Sequence, residues 1–405
     1  MRRLCVLWMI LLAACSPQAA PTLTPSTGVP ISAPSPTVAA ATPASATTPQ
    51  PTSRLRDAVE RAVGWHCPAD FSGQTLRVYN WSTYIADDTI EHFETLCNVN
   101  VTYTEFDSED AMLAEVRANP TGYDIIVPSN TTLPLLAQEN LLSALNLANI
   151  PNLANLSATL LSPLYDEGNR YSVPYQWGTI GVGYNIERTR QQIVSWHQLF
   201  DYQGPVAWLN ENSAMMGIAL SLIGYNPSTS NPQEIANARD YLIARSLNVS
   251  TVADDVDGQD LLANGTVDMV VEYSGDIFQI MADCACDTFH YAIPREGTMR
   301  WVDNLAVTAG VQNQALAEAF IDYILQPAVG ASVSNFTAYA SPNQTAINMG
   351  LIDDTLLTNS AIYPDAATEG KLFFVQRSPE SEALYTEAWQ AVLDAIAQRQ
   401  AAAGQ

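Results

Sequence analysis

The sequence predicts an α/β protein of two lobes, each an open, mostly parallel sheet covered by helices. Strand-like and helix-like segments alternate from about Gln74 onward, which is the rhythm of βαβ units. The stretch from there to the C-terminus is about 330 residues, more than one hydrophobic core comfortably holds. The same rhythm restarts near Pro205, so a second lobe is the economical reading.

The first strand is TLRVYNW (75–81). Asp87 and Asp88 then open a helix with Ile90, Phe93 and Cys97 on one face. Glu91, three residues after Asp88, resembles a capping box. VNVTYTEF (99–106) is a second strand. Ser108 caps the helix EDAMLAEVRAN, whose apolar face is Met112, Leu113 and Val116. YDIIVPS (123–129) reads as a buried strand. In the second half, PVAWLN (205–210) and TVDMVVEYS (266–274) are strands. Helices run through Met215 to Ile223, over 231–246 and over 314–325, with an Ala-rich helix from about 383 to 404. Gly181-Val182-Gly183 lacks a third glycine and is only a turn-like echo of a dinucleotide fingerprint.

Charge excludes some functions. The chain carries 17 basic and 42 acidic residues for a net charge of −25, yet only 15% of residues are charged. An average soluble domain is about 25% charged. The anionic excess therefore reflects a shortage of cations, and Lys371 is the only lysine. Nucleic-acid binding through a basic surface is excluded, and basic docking on anionic lipid is disfavoured. The excess is either ordinary solvated surface or a field that attracts cationic solutes.

Residues 1–15, MRRLCVLWMILLAAC, read as a leader: two arginines, an apolar run of nine, then small residues. Leu12-Ala13-Ala14-Cys15 resembles a lipobox, which predicts lipidation at Cys15. The chain is then exported and held at the envelope by lipid alone, at the outer face of the plasma membrane or in the periplasm. Loss of Arg2 and Arg3 takes the net charge from −25 to −27. Residues 16–53, Pro/Thr/Ala/Ser-rich and uncharged, form a disordered spacer. Residues 54–73 hold a short amphipathic helix and a lead-in. Outside the leader the cysteines are Cys67, Cys97, Cys284 and Cys286. An even number in an exported chain suggests disulfides, Cys67 with Cys97 and Cys284 with Cys286. A metal at the C-x-C pair is the alternative, but no His or Cys partner lies at matching spacing, so no metal is expected.

Ligands of open α/β sheets bind beyond the carboxyl ends of the strands. Those ends carry Trp81-Ser82-Thr83-Tyr84, Ser129-Asn130-Thr131, Asn210-Glu211 and Tyr273-Ser274-Gly275-Asp276; another extended piece carries Trp301 and Asp303. They collect aromatics, hydroxyls and carboxylates without Lys or Arg. That chemistry suits an organic cation: aromatic faces for the charge, carboxylates for ammonium groups. No G-x-S-x-G elbow, phosphate-binding loop or H-E-x-x-H occurs, and the four His are scattered, so no enzyme and no cofactor is expected.

The set YNWSTYIADDTIEHFE, YDIIVPSN, RYSVPYQWGTIGVGYN, GTVDMVVEYSGDIF, IPREGTMRWVDNLAV, YASPNQTA and IYPDA, in that order, resembles the spermidine/putrescine-binding proteins of bacterial ABC importers. The resemblance runs from about Gln74 to the C-terminus. It implies a two-lobed periplasmic-binding-protein fold with a ligand cleft between lobes, one made of 74–178 and 302–342, the other of 179–301 and 343–405. The chain then crosses between lobes near Gly178, Trp301 and Pro342. It implies a monomer that captures a polyamine and, once closed, is recognised by the permease. The implied ligand contacts are Trp81, Ser82, Tyr84, Ser129, Thr131, Glu211, Tyr273, Asp276, Trp301, Asp303 and Tyr339. Asp303 is the central carboxylate, Asp276 doubles as a helix cap, and Tyr175 and Trp177 pack near the hinge. Thr83 and Ala214 depart from the family's acids, and the final contact, Phe374 or Gln376, does not align. These departures leave open another small solute on the same fold. A sensory lipoprotein would bind the same ligands and differ only in its partner.

Overall fold

The computed structural model describes residues 51–284 and 286–403; Cys15, the leader and the spacer as far as Gln50 lie outside the described residues. Among the described residues nine strands form one sheet: β1 (Thr75–Trp81), β2 (Asn100–Phe106), β3 (Ile125–Ile126), β4 (Ser172–Asn185), β5 (Val206–Leu209), β6 (Val249–Ala253), β7 (Met269–Tyr273), β8 (Phe289–Ala292) and β9 (Arg300–Val307). The order is β2-β1-β3-β9-β4-β7-β5-β6, with β8 on β4.

The long strand β4 joins two lobes. Its first half, Ser172 to Thr179, pairs antiparallel with β9, which pairs with β3; β1 runs parallel to both β2 and β3. Its second half, Ile180 to Tyr184, pairs with β7, and β5 runs parallel to β7 and β6. All 14 residues of β4 are buried. Burial on both faces favours a run of apolar or small residues, and SVPYQWGTIGVGYN is one, interrupted by Gln176 and ending at Asn185. Gly181 and Gly183 lie inside this strand and not in a turn. A Cβ at Gly183 would come within 2.4 Å of Ile277 Cδ1, so the glycine lets helix Ser274–Cys284 press against the sheet.

Local chemistry sets most element ends. Ser108, in extended conformation, accepts from the Ala111 amide at 3.2 Å and starts helix Glu109–Ala118. The capping box expected at Asp88 does not form. Asp88 has helical backbone angles, and its carboxylate lies 3.6 Å from His92 Nδ1 instead. Strand β3 is shorter than expected because Pro128 lacks an amide and the chain then follows β9 irregularly: Asn304 N donates to Pro128 O and Asn130 N to Val302 O. Asp276 is the third residue of its helix, not the cap, since the helix begins at Ser274.

Two boundaries differ from expectation. The first helix, Pro51–Val63, takes in the last three residues assigned to the spacer; Pro suits a first helical position. The third lobe crossing is not at Pro342. Asn343 Nδ2 donates to Leu325 O, and Ala346 and Ile352 pack on Ala331 of helix Pro327–Thr337, so this segment stays on the first lobe. Its apolar residues need a partner, and that helix offers one. The chain passes over near Phe373, which exchanges backbone hydrogen bonds with Thr298 and Arg300. Helix Pro379–Ala403 then packs on Pro232–Arg245 and Asn212–Leu222 of the second lobe.

The N-terminal segment is anchored to the first lobe. Trp65 donates to Asp322 at 2.8 Å and packs on Phe93 and Tyr323. Cys67 and Cys97 are bonded to each other, as are Cys284 and Cys286. The first bridge spans 30 residues and the second only 2. Closing the longer loop restricts the unfolded chain by about 3.5 kcal/mol in the loop-entropy picture, and the short ring far less. The double variant Cys67→Ser/Cys97→Ser should therefore lose about 3.5 kcal/mol of unfolding free energy in urea titration. Cys284→Ser/Cys286→Ser should lose less than half as much.

Candidate functional site

The strand ends of both lobes meet around a narrow cavity of about 30 Å³. Its lining includes all eleven residues expected from the sequence, Trp81, Ser82, Tyr84, Ser129, Thr131, Glu211, Tyr273, Asp276, Trp301, Asp303 and Tyr339, together with Glu109, Ile180 and Met299.

Period-two geometry explains the centre. Trp301 and Asp303 alternate on β9 and share a face, which is the face toward the cavity. Val302, between them, points into a separate apolar cluster with Trp177 and Phe278. The Trp301 ring lies over the strand crossing at Gly178, where a Cβ would come within 2.6 Å of Trp301 Cζ2. Any side chain there would displace the ring.

An aromatic wall is continuous across both lobes. Ring centroids are 6.1 Å apart for Trp81 and Tyr273, 5.8 Å for Tyr273 and Trp301, and 5.0 Å for Trp301 and Tyr339, all edge-to-face. Trp81 is fixed by its indole N–H donating to Val127 O at 3.1 Å. Behind Tyr84, Tyr175 donates to the Tyr84 carbonyl. Trp177 lies further out, stacked 4.1 Å from the Arg300 guanidinium. Both sit where the chain crosses between lobes and neither lines the cavity.

Four carboxylates face this cavity: Glu109 and Asp303 from the first lobe, Glu211 and Asp276 from the second. Tyr84 donates to Asp303 Oδ2 at 2.8 Å, and Tyr339 donates to Asp276 across the cleft. Glu211 caps helix Asn212–Leu222, accepting from the Ser213 amide at 3.2 Å. Glu109 accepts from the Ser129 amide at 3.0 Å. Burial pushes Asp303 well above the usual carboxylate range, and the charge of Glu109 adds to it. Burial also raises Glu109. Behind the cavity, buried Glu272 is held far up by its desolvation and by Asp276.

Sequence reasoning missed two groups, Glu109 and Arg377. Arg377, 1% exposed, bonds Ser213 Oγ through Nε at 2.6 Å and Asp110 through Nη2 at 3.1 Å, and lies 3.8 Å from Glu211. It is a buried cation beside a corner expected to hold none. Even so, desolvation and the charge of Asp110 outweigh it, and Glu211 is pushed up to about 8. Two expected hydroxyls are otherwise engaged: Ser82 donates to Asp107 at 2.6 Å and Thr131 to Val375 O at 3.0 Å. Thr83, at φ 54°, is exposed on the turn leaving β1, and Ala214 is buried in its helix; neither lines the cavity. Phe374 and Gln376 do not line it either. Among the described residues no group of three or more His, Cys, Asp and Glu is placed to hold a metal ion.

The profile of the bacterial extracellular solute-binding protein family matches residues 88–359. The putrescine-binding periplasmic protein SpuD of Pseudomonas aeruginosa is 31% identical over 336 residues, covering 78% of this chain and 91% of that protein. The putrescine-binding periplasmic protein PotF of Escherichia coli is 29% identical over 337 residues, covering 78% and 90%. A solved structure of the spermidine/putrescine ABC transporter substrate-binding protein PotD from Streptococcus pneumoniae superposes with a TM-score of 0.68 at 26% identity, covering 81% of this chain and 99% of that one.

The raised pKa of Glu211 makes stability depend on pH. Its folded value, about 8, lies above the ordinary glutamate value of 4.5. Between those values the folded state holds a proton that the unfolded chain has lost, so this group's contribution falls as pH rises. Glu211→Gln should match the wild type in thermal unfolding near pH 5 and become the more stable of the two by pH 8. A difference that is flat across that range contradicts the assignment.

Proposed function

The chain belongs to the bacterial extracellular solute-binding protein family, a family of transport proteins and not of enzymes, and from that premise we propose that it captures a polyamine, putrescine or spermidine. The observation that carries this reading is the cavity itself, in which four buried carboxylates stand within an aromatic wall. Burying a carboxylate is costly even when it is hydrogen-bonded, and burying an ammonium is equally so. Bringing them together removes both penalties. Asp303 pairs with one ammonium, and Asp276 or Glu211 with the other. Trp81, Tyr273 and Trp301 flank the methylene chain, giving apolar contact and cation–π attraction at its ends.

Closure follows from the same placement. The acids come from both lobes, so a dication bridges Asp303 of one to Asp276 or Glu211 of the other and favours the closed state. Three chain crossings, at β4, at β9 and near Phe373, act as the hinge. The closed monomer then presents both lobe surfaces to an ABC permease, and no bond in the ligand is made or broken. Cys15 carries the lipid that holds the protein at the envelope, with the Pro-rich spacer lifting the lobes from the membrane. The leader sequence supports that anchor, and no helix among the described residues is long and apolar enough to cross a membrane.

Asp303→Asn keeps the shape and the acceptor for Tyr84 while removing the charge. It should weaken putrescine binding by roughly 100-fold or more in calorimetric titration, the scale of losing one partner of a buried ion pair. Unchanged affinity would overturn the role given to Asp303.

A further inference from the structure

We propose that Glu109 and Asp303 together form a two-carboxylate seat for a single ammonium group, with Glu109 supplying a ligand contact outside the motifs that carry the family resemblance. This rests on the polyamine reading of the cavity. The geometry joins the two acids through one residue. Ser129 donates its amide to Glu109 at 3.0 Å and is also the antiparallel bridge partner of Asp303. Both side chains line the cavity, and both residues are almost wholly buried, Glu109 at 4% and Asp303 at 5% exposure.

A structural role alone does not explain Glu109. The Ser129 amide and the Ser129 and Thr132 hydroxyls that favour its carboxylate, and its place in the first turn of helix Glu109–Ala118, could be served by Gln without a buried charge. Two like charges on one wall repel unless a proton or a cation sits between them. An ammonium donates three hydrogen bonds and matches two carboxylates better than one. The seat also answers a departure in the sequence: Thr83, at the position of a family acid, is exposed and does not line the cavity, and Glu109 brings an acid to the same lobe wall from the helix that follows β2. The charged and titratable groups around the seat are Tyr84, which donates to Asp303, and the cluster of Asp110, Glu211 and Arg377. Arg377 is held by Asp110 and Ser213, and its charge also favours the ionised form of Glu109, while Asp303 is acted on by burial, by Glu109 and by Tyr84.

The test uses the full chain, with putrescine and spermidine titrated calorimetrically in two buffers of different ionisation enthalpy near pH 7. Glu109→Gln should bind putrescine at least ~30-fold more weakly, the scale of truncating one partner of a buried charge pair. It should release fewer protons on binding, and its ligand-free melting temperature should be unchanged or higher, because a like-charge contact is gone. Glu109→Asp, which keeps the charge, should retain most of the affinity. Affinity within threefold of wild type for Glu109→Gln, or a loss matched by a lower ligand-free melting temperature, would overturn the seat while wild-type binding stands. Failure of the wild-type chain to bind either amine would overturn the polyamine reading and the seat with it.

Discussion

The structure depends on an electrostatic imbalance held at its centre. Four carboxylates face one cavity, and the buried cation beside it, Arg377, contacts Asp110, Ser213 and the corner of Glu211. Buried carboxylates gathered at one place are costly, and such clusters are concentrated at functional sites. Here the protein holds the acids by raising their proton affinity, with Asp303 and Glu211 both displaced upward by burial. Such a site is poised for a ligand that brings positive charge in a narrow, partly apolar frame.

The sheet outside the cavity places those acids on both lobes. The shared strand β4 and its neighbour β9 hold the lobes side by side, so alternate residues of β9 deliver Trp301 and Asp303 to one face. The third connection adds a clamp at the same level: Arg300 stacks on Trp177 at 4.1 Å and lies 5.8 Å from Phe374, one residue from each crossing. The aromatic wall and the Tyr339–Asp276 hydrogen bond span the cleft, so both lobes contribute to one site.

Much of this was legible in the sequence because the informative residues sit at strand carboxyl ends. A short strand followed by aromatics and acids identifies itself without a partner. Glu109 was not legible because SEDAMLAEV reads as an ordinary capped helix, where an acid in the first turn is expected for its dipole alone. The rule that served elsewhere could have found it, since the helix that follows β2 starts at the carboxyl edge of the same sheet. Arg377 lies in an irregular stretch between Gly370 and the last helix, where no periodicity assigns a direction. The third crossing was misplaced for a related reason. The apolar pattern of Ala346 to Ile352 shows that the segment is buried, but not which lobe buries it.

The central claim is that the cavity is completed by a dication pairing with buried acids. Its most direct test is the affinity of the chain for putrescine measured from pH 5.5 to pH 8, beside butane-1,4-diol, which has the same length and no charge. The account predicts that putrescine affinity rises with pH, as the carboxylates give up protons that compete with the ammonium groups, and that the diol does not bind. Putrescine affinity that is flat or falling over that range, or a diol that binds as well, would contradict it.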